Sequence, residues 1–324
     1  MTPSPGQLRT ACHPNAGKKE IPRRSWCRLF LMRVVASGLS LGFWMSGAAF
    51  AEIRVVDDFG RDVVLAEPAR RILSLAPHIT ENLFSAGAGD RVVGVVDHSD
   101  FPPAANNLPS VGSYVHFNIE GALALAPDLV VAWPSSRNGE ILNRLERHGI
   151  TVYFSEPRTF DGVMENIREL ALLAGTEDAV DPRLDPALEK IAEARNRFAD
   201  RPVLDVFYQI WSEPLITLNG EHFISRILEV CGARNLFADL SIIAPRVSME
   251  AVIEANPDVI ITGLRDGMRP DMSFWRRWTM VKAVEQNRFV YVDSDVMHRH
   301  TLRMLLGIPG FCSQIDTTRQ GSSG

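Results

Sequence analysis

Residues 111–133, VGSYVHFNIEGALALAPDLVVAW, decide the fold, and a shorter version of the same pattern, VSMEAVIEANPDVIITG, occupies residues 247–263. In each copy a glutamate, Glu120 or Glu250, stands seven residues before a Pro-Asp pair. Each copy predicts a short helix, a proline that ends it and then a strand, because proline cannot continue a helix. Two matching helix–strand units indicate that the chain folds into two similar lobes.

The start of the helix is also the same in both copies. Asn118 and Ser248 are predicted N-caps, since their side-chain oxygens can accept hydrogen bonds from the unpaired N–H groups of the first turn. The glutamate of each copy then lies in that first turn, where the helix dipole favours a negative charge. Residues 129–131 and 259–261 are apolar runs typical of strands buried in a parallel sheet.

Two interpretations of Glu120 and Glu250 are open. Stabilisation of the helix end would explain either glutamate alone. Their matched positions in a repeat favour instead a paired function at the protein surface, with one acidic group on each lobe.

The chain has an ordinary globular composition: it has 324 residues, of which 46% are hydrophobic and 23% charged, and this length suffices for two domains. Its N-terminus differs from the rest. After Arg33 an apolar segment, VVASGLSLGFWMSG, leads to small residues at Ala49 and Ala51 and then to the charged Glu52. This pattern predicts a secretory signal peptide that is cleaved after Ala51. A membrane anchor is the less favoured alternative, because the apolar run is short.

The polar and basic residues 1–31 leave the export route open. They form an extended leader, of the twin-arginine type through Arg23-Arg24, or they lie upstream of the true start if translation begins at Met32. No cysteine follows the apolar run, so a lipid-anchored N-terminus is not supported. After residue 52, no apolar run is long enough to cross a bilayer.

Cleavage would make the chain strongly acidic. It removes 7 of the 34 Lys and Arg and 1 of the 39 Asp and Glu, so the net charge falls from −5 to −11. A protein of this charge is a poor partner for nucleic acid or for an anionic membrane surface.

Two of the four cysteines, Cys231 and Cys312, remain after cleavage. In an oxidising compartment such a pair usually forms a disulfide, which here closes a long loop and contributes about 4 kcal/mol in the chain-entropy model. Two buried free thiols are the alternative.

The rest of the chain alternates strands and helices. In the first half, the pattern predicts a hairpin over 53–65 and strands over 71–75, 92–96 and 151–154. It also predicts three helices: one that begins at Thr80-Glu81, one over 140–148 and one over 160–173. In the second half, it predicts strands over 203–210 and 289–292 and helices over 223–231, 249–255, 275–284 and, interrupted by Pro309, 304–312. Residues 177–200, helical from Pro186 onward, are predicted to connect the two lobes. This alternation is typical of α/β lobes in which helices cover both faces of a parallel sheet.

Ligands of open α/β sheets bind beyond the carboxyl ends of the strands, where the connecting loops meet. The residues predicted at those loops are His98, Tyr114 and Trp133 in the first half and Ile210, Trp211 and the segment 293–303 in the second. Aromatic faces with a few charged groups suit a large ligand that is partly apolar and has polar edges.

A structural explanation is also open for each group of these residues. Trp133 would only cap the sheet, and Tyr114 would be an ordinary surface-loop residue. Asp295, Arg299 and Arg303 would form a structural salt-bridge cluster. Their convergence at the strand ends favours a binding site.

Several segments together resemble the periplasmic binding proteins of ABC importers for cobalamin, ferric siderophores and haem. They are RILSLAPHITENLFSAGAGDRVVGV, SDFPPAANNLPSVGSY, NIEGALALAPDLVVAW, ISRILEVCGARNLF, VSMEAVIEANPDVIITG and VDSDVMHRHTLRML, and they cover nearly the whole chain after the leader. The resemblance is greatest to the cobalamin binders, through the SDFPP segment and the tryptophan after the central strand.

The resemblance implies a class III fold of the helical-backbone type: two Rossmann-like α/β lobes with parallel sheets, joined by a single connecting helix, with little hinge closure. The expected boundaries are 52–176 for the first lobe, 177–200 for the connecting helix and 201–319 for the second lobe. The implied function is that of a periplasmic protein that captures cobalamin or a related corrinoid between its lobes and delivers it to a transmembrane permease. No catalysis, no intrinsic cofactor and no protein-held metal are expected, and we expect a monomer.

Site residues follow from matching positions. The resemblance implies ligand contacts at His98, Tyr114, Trp133, Trp211 (or Ile210), Asp295 and Arg299. Glu120 and Glu250 match the acidic pair that docks onto arginines of the two transmembrane subunits, in agreement with the repeat. Cys231 and Cys312 match positions at which cobalamin binders can carry a disulfide.

Departures from the family pattern keep other ligands open. Ile243 stands where an aromatic residue is expected, Val296 and Met297 stand at two further aromatic positions, and His300 follows Arg299 where the family has proline. The pocket is therefore less aromatic and richer in histidine. A ferric siderophore or haem is the alternative ligand, because Tyr or His can ligate haem iron and arginine can pair with siderophore carboxylates.

Two other protein classes are open. A two-lobed metal-dependent enzyme would need a convergent acid–base pair or metal cluster, and His78 and Glu81 are a close His/Glu pair in the first half. A binder of a free divalent metal would use His98, His116 and Asp295.

Overall fold

The computed structural model describes residues 52–134, 139–264 and 267–320. The predicted signal peptide, with its cleavage site after Ala51, the Arg23-Arg24 pair and Met32, lies outside the described residues. Within the described residues, no helix combines the length and apolar character needed to span a membrane.

The first lobe begins with an antiparallel hairpin and continues with a four-stranded parallel sheet. Its strands are β1 Ile53–Val56, β2 Asp62–Leu65, β3 Ile72–Ser74, β4 Val92–Gly94, β5 Leu129–Ala132 and β6 Thr151–Phe154. The sheet order is β4–β3–β5–β6, and the register sets Leu129 of β5 between Ile72 and Thr151.

Four helices pack against this sheet: α1 Pro77–Ser85, α2 Ile119–Ala124, α3 Gly139–Arg147 and α4 Phe160–Ala174. Leu129 and Val131 lie in the apolar core on the side of α1 and α4, whereas Val130 and Ala132 lie in the core on the side of α2 and α3. A strand whose alternate residues point into two cores must be apolar throughout, which explains the uninterrupted run LVVA.

A helix with proline in its first turn, α5 Asp185–Phe198, leads into the second lobe. The strands that follow are β7 Leu204–Gln209, β8 Trp211–Ser212, β9 Leu215–Ile216, β10 Ala233–Asn235, β11 Val259–Leu264 and β12 Phe289–Asp293. The helices are α6 Phe223–Val230, α7 Met249–Ala255, α8 Lys282–Glu285, α9 Ser294–Met297 and α10 Leu302–Gln320. A second parallel sheet, in the order β10–β7–β11–β12, confirms the predicted α/β class with one sheet in each lobe.

The repeat in the sequence is a structural repeat. Helix α2 precedes β5 and α7 precedes β11, and each of these strands lies inside its sheet. Both predicted N-caps are confirmed. The N–H groups of Glu120 and Gly121 donate to Asn118 Oδ1. The N–H group of Ala251 donates to Ser248 Oγ.

The end of each helix is alike as well. The residue before each Pro-Asp pair, Ala126 or Asn256, has a positive φ of 44° or 48°. The aspartates of the two pairs, Asp128 and Asp258, each accept a hydrogen bond from a main-chain N–H near the start of the adjacent strand, β3 or β7. In both lobes the proline therefore ends the helix, and the aspartate joins the start of the following strand to the neighbouring strand of the sheet.

The predicted helix over 275–284 is wrong. The segment forms a single 3-10 turn, Ser273–Arg277, and then the short helix α8. The chain bends between them because Trp275 is fully buried and its Nε1 donates to Gln209 Oε1 of β7 at 2.9 Å. Burial of this one large side chain outweighs the helical periodicity of the segment.

The predicted interruption at Pro309 is also wrong, since α10 runs through it. Proline inside a helix removes one main-chain hydrogen bond. Ile308 and Phe311 on either side of it are buried in the core, and this packing holds the helix together. Helix α1 also starts earlier than predicted, at Pro77. Proline is tolerated there because the N–H groups of a helix's first turn have no main-chain acceptor within the helix, so the missing N–H of proline costs no hydrogen bond.

The predicted disulfide is confirmed. Cys231, directly after α6, is bonded to Cys312 in α10, and both residues are fully buried. Their Cα atoms are 4.6 Å apart and they are 81 residues apart in sequence. The bond fastens the last helix to the second lobe.

The two lobes share one hydrophobic core, to which α1 and α4 of the first lobe and α6 and α10 of the second all contribute. Phe160 and Phe223 meet in this core with their ring centroids 5.2 Å apart. Asn82 Nδ2 of α1 donates to the carbonyl oxygen of His300 at 3.1 Å. Because separation of the lobes would expose this apolar surface to water, we expect hinge motion to be small.

Candidate functional site

The six predicted ligand contacts lie in the segments that follow the carboxyl ends of the parallel strands. They are His98 and Tyr114 between β4 and α2, Trp133 after β5, Trp211 after β7, and Asp295 and Arg299 after β12. This edge of the two sheets is where open α/β folds bind their ligands.

Trp133 lies in a row of three rings in the first lobe. Its ring centroid is 5.8 Å from that of Tyr114 and 5.5 Å from that of His78, and the His78 ring is nearly perpendicular to it. Tyr114 is 38% exposed, whereas Trp133 packs partly buried against the core. Rings at these distances stabilise one another, so the row forms a fixed aromatic surface.

A tight loop holds Tyr114 at its tip. The N–H of Ser113 donates to the carbonyl oxygen of His116, and the N–H of His116 donates to Ser113 Oγ. Gly112 has a φ of +114°, and a Cβ there would lie 2.9 Å from the His116 carbonyl oxygen, so only glycine fits. The loop therefore fixes the backbone from which Tyr114 projects.

His98 contacts Arg299 through its main-chain carbonyl group and not through its imidazole ring. Its φ is +65°, in the left-handed region that non-glycine residues seldom occupy. Its carbonyl oxygen accepts a hydrogen bond from Arg299 Nη2 at 3.3 Å. The structure thus brings the exposed His98 to Arg299, and in the described part of the chain its ring makes no stacking contact with Tyr114 or Trp133.

Trp211 gives the second lobe an exposed aromatic surface. It is 45% exposed, and its indole N–H donates to a main-chain carbonyl of its own hairpin at 2.8 Å. Ile210, the alternative contact, packs against the core instead. Ile242 and Ile243, 64% and 51% exposed, lie on the loop whose main chain accepts hydrogen bonds from the N–H groups of Thr217 and Asn219, directly after this hairpin. Aliphatic side chains therefore stand where the family pattern has an aromatic one.

Arg299 is surrounded by acceptors from both lobes. Its Nη1 donates to Glu81 Oε1 at 3.0 Å and to Asp100 Oδ1 at 2.9 Å, both in the first lobe. Its Nη2 donates to Asp295 Oδ1 at 2.7 Å. The Arg299 side chain is only 12% exposed, whereas that of Asp295 is 60% exposed. The salt-bridge cluster that the sequence left open is therefore present, and the roles of Asp295 and Arg299 as ligand contacts stay predictions.

Glu81 is the buried centre of this cluster, with a side chain that is 2% exposed. Arg303 binds it with two parallel hydrogen bonds, from Nε to Oε2 at 3.0 Å and from Nη2 to Oε1 at 2.6 Å. Burial raises the pKa of Glu81, although Arg303 and Arg299 act in the opposite direction. Burial acts to raise the pKa of Asp100 too, but the hydrogen bond and charge of Arg299 outweigh it and lower that pKa.

Four histidines lie near the contact between the lobes. Burial lowers the pKa of His78 to about 3, that of His222 to about 3 and that of His300 to about 4. Burial also lowers the pKa of His298, whose Nε2 lies 2.7 Å from the hydroxyl of Tyr208. His78, His222 and His300 are therefore neutral imidazoles near pH 7.

Sequence reasoning missed several residues of this region. His78 and Glu81 were singled out only as an acid–base pair for an enzyme, but His78 packs on Trp133 and Glu81 pairs with Arg303. Asp100 was not identified at all. No local signal in the sequence marked Glu81 as a buried, paired residue, because its partners Arg299 and Arg303 lie more than 200 residues later in the chain.

Glu120 and Glu250 occupy equivalent exposed positions, one on each lobe. Each lies in the first turn of its short helix. Hydrogen bonds from its own N–H and from Ser248 lower the pKa of Glu250. The matched placement fits the predicted pair, whose docking role stays a prediction.

In the ranges 52–134, 139–264 and 267–320, no three His, Cys, Asp or Glu side chains are grouped so that they could hold a metal ion. The set proposed for a free divalent metal, His98, His116 and Asp295, is therefore not such a group. Asp295 is engaged with Arg299 instead.

The chain is similar to known proteins in both sequence and structure. The family described as periplasmic binding protein matches residues 72–296. A vitamin B12-binding protein of Vibrio cholerae serotype O1 is 34% identical over 249 residues, which are 76% of this chain and 90% of the relative. The crystal structure of the periplasmic vitamin B12 binding protein BtuF of Vibrio cholerae matches with a TM-score of 0.70 and 33% identity, over 78% of this chain and 99% of that one. The periplasmic heme-binding protein RhuT of Roseiflexus sp. RS-1 matches with a TM-score of 0.66 and 22% identity, over 77% and 99%, which shows a shared fold alone.

Proposed function

Because the chain belongs to the periplasmic binding protein family, we propose that it is the solute-binding component of an ABC importer and that it captures cobalamin or a related corrinoid between its two lobes. It then delivers the ligand to the transmembrane permease and performs no chemistry of its own. The corresponding division is 52–176 for the first lobe, 177–200 for the connector and 201–319 for the second lobe.

The observation that supports this ligand most strongly is the similarity to a vitamin B12-binding protein at 34% identity over 90% of that relative's length. The chemistry of the site agrees with it. A corrinoid is a large ring system with apolar faces and amide groups around its edge. Exposed aromatic side chains on both lobes suit the faces, and a carboxylate with a nearby guanidinium suits the edge.

Each lobe has its own part in capture. In the first lobe, Tyr114 and Trp133 present the aromatic surface, with His98 at its rim. In the second lobe, Trp211 presents an exposed ring and Asp295 an exposed carboxylate. Because the lobes share a core, the cleft is largely preformed, and little of the binding free energy is lost in closing it.

Delivery needs a surface that the permease can recognise. Glu120 and Glu250 supply one negative charge on each lobe, and a permease with two transmembrane subunits can offer one arginine to each. This arrangement suits a monomer in the periplasm, exported by the predicted signal peptide and cleaved after Ala51.

Ligand retention tests the proposal. Residues 52–324 are purified, mixed separately with cyanocobalamin, a ferric hydroxamate and haemin, and passed over a desalting column before the visible spectrum is recorded. Each chelate passed over the column alone is the control. We expect retained corrinoid absorbance and no retained iron chelate. Retention of an iron chelate instead would contradict the corrinoid assignment while preserving the importer role, and retention of nothing would contradict the binding role itself.

A further inference from the structure

A buried carboxylate of the first lobe is shared between two arginines of the second. Glu81 lies on α1, and its partners Arg299 and Arg303 lie 218 and 222 residues later in the chain. Three hydrogen bonds of 2.6 to 3.0 Å join the three side chains. The pairs therefore connect the first lobe to the segment that leads from β12 into α10.

A loop of the first lobe closes over the same guanidinium groups. Asp100 Oδ1 and the carbonyl oxygen of His98 both accept hydrogen bonds from Arg299. The Arg303 guanidinium lies 4.1 Å from the ring centroid of Phe101. The left-handed φ of His98, +65°, is the conformation that turns its carbonyl oxygen to Arg299, and such backbone strain persists only where the surroundings enforce it.

The same contacts fix Asp295. Arg299 Nη2 holds its Oδ1 at 2.7 Å, and Arg303 Nη2 donates to its main-chain oxygen at 2.9 Å. Asp295 nevertheless keeps 60% of its side chain exposed. The position of this exposed carboxylate therefore depends on two arginines that are themselves held by Glu81.

A buried ion pair adds little net stability compared with apolar side chains of the same size, but it penalises every arrangement in which a buried charge is left unpaired. Glu81 meets both arginines only when α1 and the start of α10 have the spacing seen here. The shared apolar core keeps the lobes together but does not select one spacing as sharply, because apolar contacts are non-directional.

We infer that Glu81 is a positioning residue that acts across the lobes: through Arg299 and Arg303 it sets the spacing of the cleft and the placement of Asp295. The inference rests on the proposed function only in taking the cleft as the ligand site. The spacing itself is a property of the ligand-free protein and can be measured without ligand.

Spin labels on the two lobes measure that spacing. Cysteines are introduced at the exposed positions Glu140 of α3 and Glu254 of α7 as Glu140→Cys and Glu254→Cys, since the native cysteines are bonded to each other and buried. Pulsed electron paramagnetic resonance then gives the distance distribution in the labelled parent and in the same protein with Glu81→Gln. The matched control is Glu169→Gln, which alters a partly buried carboxylate that accepts a hydrogen bond from Tyr153 within the first lobe.

We expect a narrow distribution in the labelled parent and in the Glu169→Gln control. In the Glu81→Gln variant we expect a shift or broadening of about 2 Å or more, the scale of a small domain rearrangement. Arg303→Lys keeps the charge but not the paired hydrogen bonds to Glu81, so it should broaden the distribution as well, and it replaces Glu81→Gln if that variant does not fold. A distribution that superimposes on the parent in the folded variants would overturn the inference.

A double-mutant cycle for cyanocobalamin binding tests the route through Arg299. In the unaltered background Glu81→Gln should weaken binding about tenfold or more, as misplacement of a contact by about 1 Å does. In an Arg299→Gln background the same change should have a much smaller effect. Equal effects in both backgrounds would overturn the route through Arg299. If the unaltered protein retains no cyanocobalamin, the proposed function fails, and the spin-label distances still decide this inference.

Discussion

Three histidines near the contact between the lobes should make the protein lose stability as the pH falls from about 6.5 to about 4. The pKa values of His78, His222 and His300 in the folded chain are about 3, about 3 and about 4, because burial penalises the charged imidazolium. In the unfolded chain a histidine has a pKa of about 6.5. Below pH 6.5 the unfolded chain therefore binds more protons than the folded one, and the free energy of unfolding decreases. Above pH 6.5 both forms are neutral and the effect vanishes.

The size of the effect follows from the distance between the pH and the unfolded pKa. At pH 5 a histidine that stays neutral when folded lowers the free energy of unfolding by about 2 kcal/mol, so three lower it by about 6 kcal/mol. Asp58, Glu81 and Glu169 act with the opposite sign, because their folded pKa values are raised and the folded chain binds the additional protons. His298, whose pKa burial also lowers, adds to the loss, so the net change is about 6 kcal/mol less the contribution of the three acids and plus that of His298. A loss of about 6 kcal/mol is a large part of an ordinary stability of about 5–15 kcal/mol.

The variant His222→Asn isolates one of the three histidines. His222 Nδ1 accepts the N–H of Ile224 at the start of α6, at 3.2 Å, and asparagine keeps an acceptor for this cap. Urea unfolding followed by tryptophan fluorescence at pH 7.5, 6.0 and 5.0 gives the free energies. We expect the unaltered protein to lose about 2 kcal/mol more than His222→Asn between pH 7.5 and 5.0. The exposed His148→Asn is the matched control. Equal losses in the unaltered protein and His222→Asn would refute the reasoning.

Three further predictions concern binding, transport and the disulfide. Trp133→Ala should weaken cyanocobalamin binding by about 2 kcal/mol in calorimetry, because it removes the middle ring of the aromatic row. The control Phe59→Ala, at an exposed position on the β1–β2 turn, should leave the affinity unchanged. An affinity of Trp133→Ala equal to that of the unaltered protein would place the site elsewhere. The double variant Glu120→Lys and Glu250→Lys should bind cyanocobalamin normally and fail to support its uptake by cells, because like charges would face the permease arginines; normal uptake would contradict the docking role. Cys312→Ala should lower the free energy of unfolding by about 4 kcal/mol, because the disulfide joins residues 81 positions apart and restricts the unfolded chain. An unchanged free energy of unfolding would contradict this contribution of the disulfide.

The parts of the fold that the sequence predicted are those set by local signals. The caps at Asn118 and Ser248, the Pro-Asp pairs and the apolar strands after them all lie within short segments, and each appears as predicted. Their repetition was enough to indicate two lobes. The helix predicted around Trp275 failed because one buried indole, tied to Gln209, overrides the local periodicity.

In the candidate site, too, features set by local sequence signals were predicted and features set by long-range contacts were not. Positions such as Trp133 and Trp211 follow from a general rule, because side chains directly after parallel strands reach the ligand edge of the sheet. The pairing of Glu81 with Arg299 and Arg303 joins residues more than 200 positions apart, and no local pattern encodes which acidic residue meets which arginine. The low pKa values of His78 and His300 depend on burial where the lobes meet, which is known only once the lobes are placed together.

A crystal structure of residues 52–324 with cyanocobalamin tests most directly whether the ligand is held between the lobes. We predict density for one corrin ring within about 4 Å of Trp133 in the first lobe and of Trp211 or Asp295 in the second. We also predict that the two lobes keep nearly the spacing of the ligand-free protein. Density at another surface, or a corrin that contacts only one lobe, would contradict the account.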